Sequence, residues 1–169
     1  MTIENSVPAD KGEIFILYEM ARIFQKIKGA VLWPEFDNAL IEKEIAEKRQ
    51  WKILIDNQIA CVWATTFSDP QIWEEREKDP SVYIHRIATN PIFRGQNLVG
   101  QIVSWAKIYG DENAKKFVRM DTVGENNGLI DYYQKCGFEF LGLSKLKDTK
   151  GLPKHYENAT VSLFQMTVK

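Results

Sequence analysis

A chain of 169 residues with 44% hydrophobic content is long enough to bury a core without staples and fits a single domain over residues 1–169. Its 22 basic residues nearly cancel 23 acidic ones, so no global field draws it to nucleic acid or to an anionic membrane. No apolar run reaches a membrane span, Met1-Thr2-Ile3-Glu4 lacks a signal peptide's basic start, and Cys61, Cys136, His85 and His155 show no metal-ligand spacing. A cytoplasmic protein with no metal site and no structural disulfide is expected.

In chain order, an extended "TIENSV" leads into "ADKGEIFILYEMARIFQKIKG". Ile14, Leu17, Tyr18, Ala21 and Phe24 recur there at helical spacing, and Gly29 suits the helix end. "PEFDNALIEKEIAEKRQ" repeats the pattern with Phe36, Leu40, Ile41 and Ile45, with Pro34 placed in a first helical turn. "WKILID" and "IACVWATTF" flank Asn57-Gln58 as a β-hairpin. "SDPQIWEEREKDP" is a charged excursion, read either as a loop or as a short surface helix. A strand "SVYIHRIAT" follows, then a helix "GQNLVGQIVSWAKIYG" that is expected to stop at Gly110. The strand "KFVRMDTV", the helix "NNGLIDYYQKCG" closed by Gly137, and the strands "FEFLGLSKLK" and "ATVSLFQMTV" complete the chain. Helices interleaved with strands in this order predict an α+β fold with a mixed sheet.

Two strand-to-helix transitions carry chemistry. In "IATNPIFRGQNLVGQIV" a β-branched run breaks at Asn90-Pro91 and a polar loop opens directly into a helix. The first N–H groups of such a helix have no partners within it, and with the helix dipole they favour a phosphate. Gly95 lets backbone approach closely and Arg94 offers a charge-assisted donor. On this stretch alone an ordinary surface turn with a solvated Arg94 fits as well. In "MDTVGENNGLIDYYQKCGF" a strand again feeds a short helix, with Asn126 at its start and Tyr132 and Tyr133 in its second half.

The pair of motifs resembles the GNAT superfamily of acyl-CoA-dependent N-acyltransferases. "RGQNLV" at Arg94 to Val99 is similar to that family's pyrophosphate motif, [QR]-x-x-G-x-[GA]. Asn126, then Tyr133 and Gly137-Phe138, match its later motif in order and separation. The chain departs at Asn97, where the family usually has Gly, and at Val99, where it has Gly or Ala. The resemblance covers Tyr83 to Phe140 and implies a central twisted mixed sheet flanked by helices, with the acceptor side built by the front helices and hairpin.

It further implies acetyl-CoA as co-substrate and a primary amine, on a small molecule or a protein, as acceptor. Main-chain groups around Ile87 and Thr89 would bond the pantetheine arm, and the amides of Gly95, Gln96, Asn97, Leu98, Val99 and Gly100 would hold the pyrophosphate. Tyr133 matches the position of the acid that protonates the departing thiolate, for which a phenol is suited; it also reads as a core aromatic. Asn126 is a helix N-cap that fixes the loop near the cofactor, and Tyr132 is assigned to packing. His85, titrating near neutrality on the central strand, is the candidate base, and equally a satisfied structural histidine. Its expected face partners are Tyr83, Ile87 and Thr89, unless a bulge reverses the phase. Glu125 or Asp121 could act through water instead. Cys136, at a helix C-terminal end, is disfavoured as a nucleophile, so direct attack in a ternary complex is expected. Trp33, Phe36 and Trp73 read as acceptor walls, or else Trp33 is a core anchor and the Glu74 to Lys78 run a solvated face. The alternative reading is a non-catalytic acyl-CoA-binding regulatory module of the same fold. A homodimer through the exposed last strands is left open.

Overall fold

The computed structural model describes residues 1–169. Seven strands, β1 (Thr2–Asn5), β2 (Gln50–Ile55), β3 (Gln58–Thr66), β4 (Ser81–Thr89), β5 (Phe117–Val123), β6 (Glu139–Lys145) and β7 (Thr160–Thr167), form one mixed sheet in the order β1-β2-β3-β4-β5-β7-β6. The helices are α1 (Lys11–Lys28), α2 (Asn38–Ala46), α3 (Pro70–Trp73), α4 (Leu98–Glu112) and α5 (Asn127–Lys135). None of them is long and apolar enough to cross a membrane. The chain divides into two units, residues 1–65 with 85–98 and residues 66–84 with 99–169, so that β4 contributes its first half to the second unit and its second half to the first.

In the first unit, β1, β2 and β3 run antiparallel, and Asp56 and Asn57 close the β2–β3 hairpin with φ of 49° and 62°. Two left-handed residues in succession are what the right-handed twist of a tight hairpin requires, and Asp and Asn tolerate them. Ile14, Leu17 and Tyr18 of α1 and Ile41 and Ile45 of α2 bury against Val62 and Ala88. Full burial of one such aliphatic chain stabilises by roughly 1.5–3 kcal/mol. Gly29 ends α1 at φ 67°. Phe24, expected on the inner face, is 40% exposed instead. The second helix also differs from expectation: it begins after Asp37, whose carboxylate accepts from the Ala39 amide at 3.0 Å. Pro34 lies upstream, outside any helix or strand, because a side-chain cap decides a helix start more strongly than a tolerated proline.

In the second unit, Ser81–Ile84 of β4 pairs in parallel with Phe117–Met120 of β5. β5 pairs antiparallel with β7, and β7 with β6. The charged excursion is not a solvated face throughout: α3 buries Ile72 and Trp73 in a cluster with Tyr83, Leu146, Tyr156, Ala159, Val161 and Leu163. Arg119 on β5 is only 1% exposed. Its guanidinium donates to Gln165 Oε1 at 2.9 Å and to the Arg76 carbonyl at 2.6 Å, pairs with Asp79 at 3.4 Å, and stacks over Trp73 at 4.9 Å. Trp73 is thereby a core anchor. Helix α4 runs past Gly110 to Glu112. A Cβ at Gly110 would come within 2.8 Å of Val168 Cγ2, so this glycine permits close packing and does not end the helix.

Candidate acyl-CoA site

Strand β4 leaves its sheet at Thr89, and the Asn90 side chain accepts from the Ile92 amide at 3.2 Å to shape the turn through Pro91–Phe93. Arg94, Gly95, Gln96 and Asn97 are exposed, and α4 begins at the next residue, Leu98. Two of these four residues have left-handed backbone, Gly95 at φ 83° and Asn97 at φ 53°. Asn97 thus occupies, at a position where the motif favours glycine, a conformation that Asn adopts more readily than other side chains. Leu98 and Val99 are buried, at 4% and 8% exposure, so the Val99 side chain belongs to packing and does not fill the loop. An exposed loop that opens directly into a helix is the local setting in which first-turn N–H groups can hold a pyrophosphate. Arg94 is not merely solvated: its guanidinium lies over the Phe24 ring at 4.3 Å.

Upstream on β4, Arg86 has φ 52° inside the strand. A bulky residue in this region interrupts the pleat, so the alternation expected to carry from Tyr83 through His85 to Thr89 does not run regularly. The Arg86 side chain, 11% exposed, donates to the carboxylate of Glu44, itself 3% exposed, and to the Tyr18 hydroxyl at 3.3 Å, and it stacks over Phe36 at 5.2 Å. Burial opposes the Arg86 charge, but Tyr18 and Glu44 beside it hold its pKa above the ordinary value. Gln50 closes the group by donating to Tyr18 Oη at 3.0 Å. Sequence reading missed this network, since Glu44, Arg86 and Gln50 give no local signal of burial. Thr89 Oγ1 lies 3.4 Å from the Cys61 sulfur, whose thiol burial pushes up to about 11. His85 and Ile87, on either side of Arg86 in the chain, are partly buried.

The front aromatics pack on one another. Tyr18, Trp33 and Phe36 meet edge-to-face with centroids 5.3–5.8 Å apart. Trp33 is further fixed by its amide to Gln25 Oε1 at 2.8 Å and by Arg22 Nε to its carbonyl at 3.0 Å.

In the second unit, Asn126 caps α5, its Oδ1 accepting from the Leu129 amide at 3.1 Å. Tyr133 is 9% exposed, its ring 6.1 Å from Phe138 and 5.2 Å from Phe164. Gly137 at φ 99° turns the chain so that Phe138 can pack there. Tyr132, assigned to packing, is 43% exposed. The Cys136 thiol is raised by burial, as a structural cysteine's would be. Asp121, at the far end of β5, accepts from Tyr156 Oη at 2.8 Å, a pair that 35 residues of separation hid from sequence reading. Residues 85–98 thus stand together in the first unit, and Asn126 and Tyr133 in the second.

A family model described as the acetyltransferase (GNAT) family matches residues 17–138. Among curated relatives, the Bacillus subtilis strain 168 protein YesJ, named as an uncharacterized N-acetyltransferase, is 31% identical over 74 residues. That alignment covers 44% of this chain and 41% of YesJ, so the chain matches less than half the relative's length. Among solved structures, a GNAT-family acetyltransferase from Listeria monocytogenes 4b F2365 superposes with a TM-score of 0.77 at 24% identity, over 98% of this chain and 94% of its own. The yncA structure from Salmonella typhimurium, which contains its cofactor acetyl-CoA, gives a TM-score of 0.70 at 13% identity, over 100% of this chain and 94% of its own.

Proposed function

The chain belongs to the GNAT acetyltransferase family, and from that premise we propose that it moves an acetyl group from acetyl-CoA to a primary amine, acting as one domain in the cytoplasm. The observation that carries this reading is the loop. Gly95 and Asn97 both take left-handed backbone in an exposed turn that opens into α4. Acetyl-CoA fits there by the amides of Gly95 to Gly100, with Ile87 and Thr89 supplying main-chain groups to the pantetheine arm.

Acetyl-CoA supplies an activated thioester carbonyl. The acceptor must arrive as a neutral amine, since an alkylammonium has no lone pair. In direct attack the amine nitrogen bonds the acetyl carbon, the carbon–sulfur bond breaks, and the ammonium proton passes to His85 or, through water, to Asp121 or Glu125. Tyr133 gives its phenolic proton to the departing thiolate and recovers one from solvent. No metal takes part in this scheme. A primary amine, on a small molecule or a protein, is the acceptor class.

The first test is a thermal melt with and without millimolar acetyl-CoA, using adenosine diphosphate as control. At a ligand concentration a hundred times Kd, binding adds about 2.7 kcal/mol, which for a chain of this length raises Tm by roughly 5–10 °C. No shift would overturn the loop reading. Turnover over an amine panel then separates an enzyme from a binding module: a shift without acetyl transfer to any amine would favour the module.

A further inference from the structure

Helix α1 has two apolar stripes, and only one is used inside its own unit. Ile14, Leu17 and Tyr18 are at most 2% exposed and satisfy the core. On another face Ile16, Met20, Ile23 and Ile27 are 50%, 36%, 53% and 75% exposed. Their spacing of four, three and four residues is that of a coiled-coil seam, in which alternating steps keep one face toward a partner helix. An isolated exposed Ile is ordinary, whereas a row of four along a helix about 27 Å long needs a cover.

We infer that this face pairs two copies of the chain, α1 against α1 in antiparallel orientation about a two-fold axis. Charge selects both the occupant and the orientation. Glu19 and Lys26 are exposed and precede Met20 and Ile27 by one residue, on the same flank of the seam. Antiparallel pairing with Ile16 opposite Ile27 and Met20 opposite Ile23 brings Glu19 of each copy beside Lys26 of the other. A parallel pair would lay that flank against Phe24 and Val31, leaving Lys26 without a counter-charge and Glu19 with only Arg22 of its own helix, at 2.7 Å. The seam and its flank are therefore self-complementary, which is what a two-fold interface requires. The four seam side chains expose roughly 400 Å², and with the stems of Glu19 and Lys26 the face stays below the about 800 Å² per partner of a standard interface, so the dimer is expected to be weak and concentration-dependent.

Sedimentation velocity on the full chain from about 1 to 500 µM tests this. The expected result is a mass rising from 19.6 kDa toward that of two chains. Ile23→Glu, on an exposed position, should leave a monomer with an unchanged melting profile at low concentration. Glu19→Lys should weaken the dimer about tenfold, and Glu19→Lys with Lys26→Glu should restore it, because the swap recreates both cross-pairs only in the antiparallel register. A wild-type chain monomeric throughout the range would overturn the inference. So would a dimer insensitive to Ile23→Glu, or a monomer that instead co-sediments with vesicles containing anionic lipid.

Discussion

Replacing Glu44 by alanine removes the one carboxylate that faces the Arg86 guanidinium, and the cost can be worked from what remains around it. Arg86 would keep the Tyr18 hydroxyl at 3.3 Å, a neutral acceptor at the long end of hydrogen bonding, and the Phe36 ring at 5.2 Å. Stacking on a ring contributes up to about 2 kcal/mol when desolvated, and it is already present in the wild type, so it cannot offset the loss. Breaking a buried ion pair from one side costs about 3–5 kcal/mol because the other charge stays buried and unanswered. Glu44 at 3% and Arg86 at 11% exposure qualify as buried, while the residual contacts favour the lower end, so about 3 kcal/mol is expected. A loss of that size lowers Tm by roughly 6–12 °C in a chain of this length. Glu44→Gln, which keeps an acceptor and the volume, should cost less than half as much. Glu44→Leu combined with Arg86→Met should recover most of the loss, since a buried pair is often replaceable by well-packed apolar chains. Urea unfolding followed by fluorescence measures all four variants. Glu44→Ala within about 1 kcal/mol of the wild type would refute the reasoning, because Arg86 would then have to be solvated or otherwise paired.

Four further outcomes follow from the geometry. Asn97→Gly should retain the acetyl-CoA-induced melting shift, whereas Asn97→Val, which cannot hold φ 53° cheaply, should weaken binding about tenfold by isothermal titration. Tyr133→Phe should cut turnover by about a hundredfold or more with acetyl-CoA binding intact; an unchanged rate would leave Tyr133 as packing alone. Burial and the Glu77 carboxylate at 2.5 Å push the Tyr83 phenol up to about 12. Its folded-state pKa is thus above the unfolded one, so this contribution is intact below pH 10 and is lost as pH rises toward 12. The loss should reach about 2–3 kcal/mol, seen as a steeper alkaline fall in stability than in Tyr83→Phe. Gly110→Ala should destabilise by about 1–2 kcal/mol in urea unfolding despite alanine's better helix propensity, because the new methyl meets Val168 at 2.8 Å.

The strands and most helices were legible because each follows a period the sequence states openly. β4, β5 and β7 are β-branched runs, and Gly29 and Gly137 end α1 and α5 in left-handed backbone as their positions suggest. Gly110 shows the limit of that rule, since a glycine that ends a helix and one that admits a neighbouring side chain look alike until Val168, 58 residues on, is placed beside it. Charged residues failed in the same way. Arg119 and Glu44 carry no local mark of burial, and their burial depends on Gln165, Asp79 and Arg86, none within reach along the chain. Trp73 sits in a run of charges yet anchors a core. Each error comes from a contact whose partner is remote in sequence, the kind of information local periodicity cannot hold.

The departure at Asn97 can be weighed on the same terms. A motif glycine can be required for two physical reasons: space at Cα, or a left-handed backbone. At position 97 the chain keeps the second, with φ 53° in an exposed residue ahead of α4, and Asn satisfies it without the flexibility that glycine brings. At position 99 the side chain turns into the protein, where a valine fills volume that glycine would leave empty. Both substitutions thus conserve what the backbone must do in the loop while changing what the side chains do around it. A phosphate held by main-chain amides responds to the former and is largely indifferent to the latter, so a motif that matches only in part still fits the proposed pyrophosphate role.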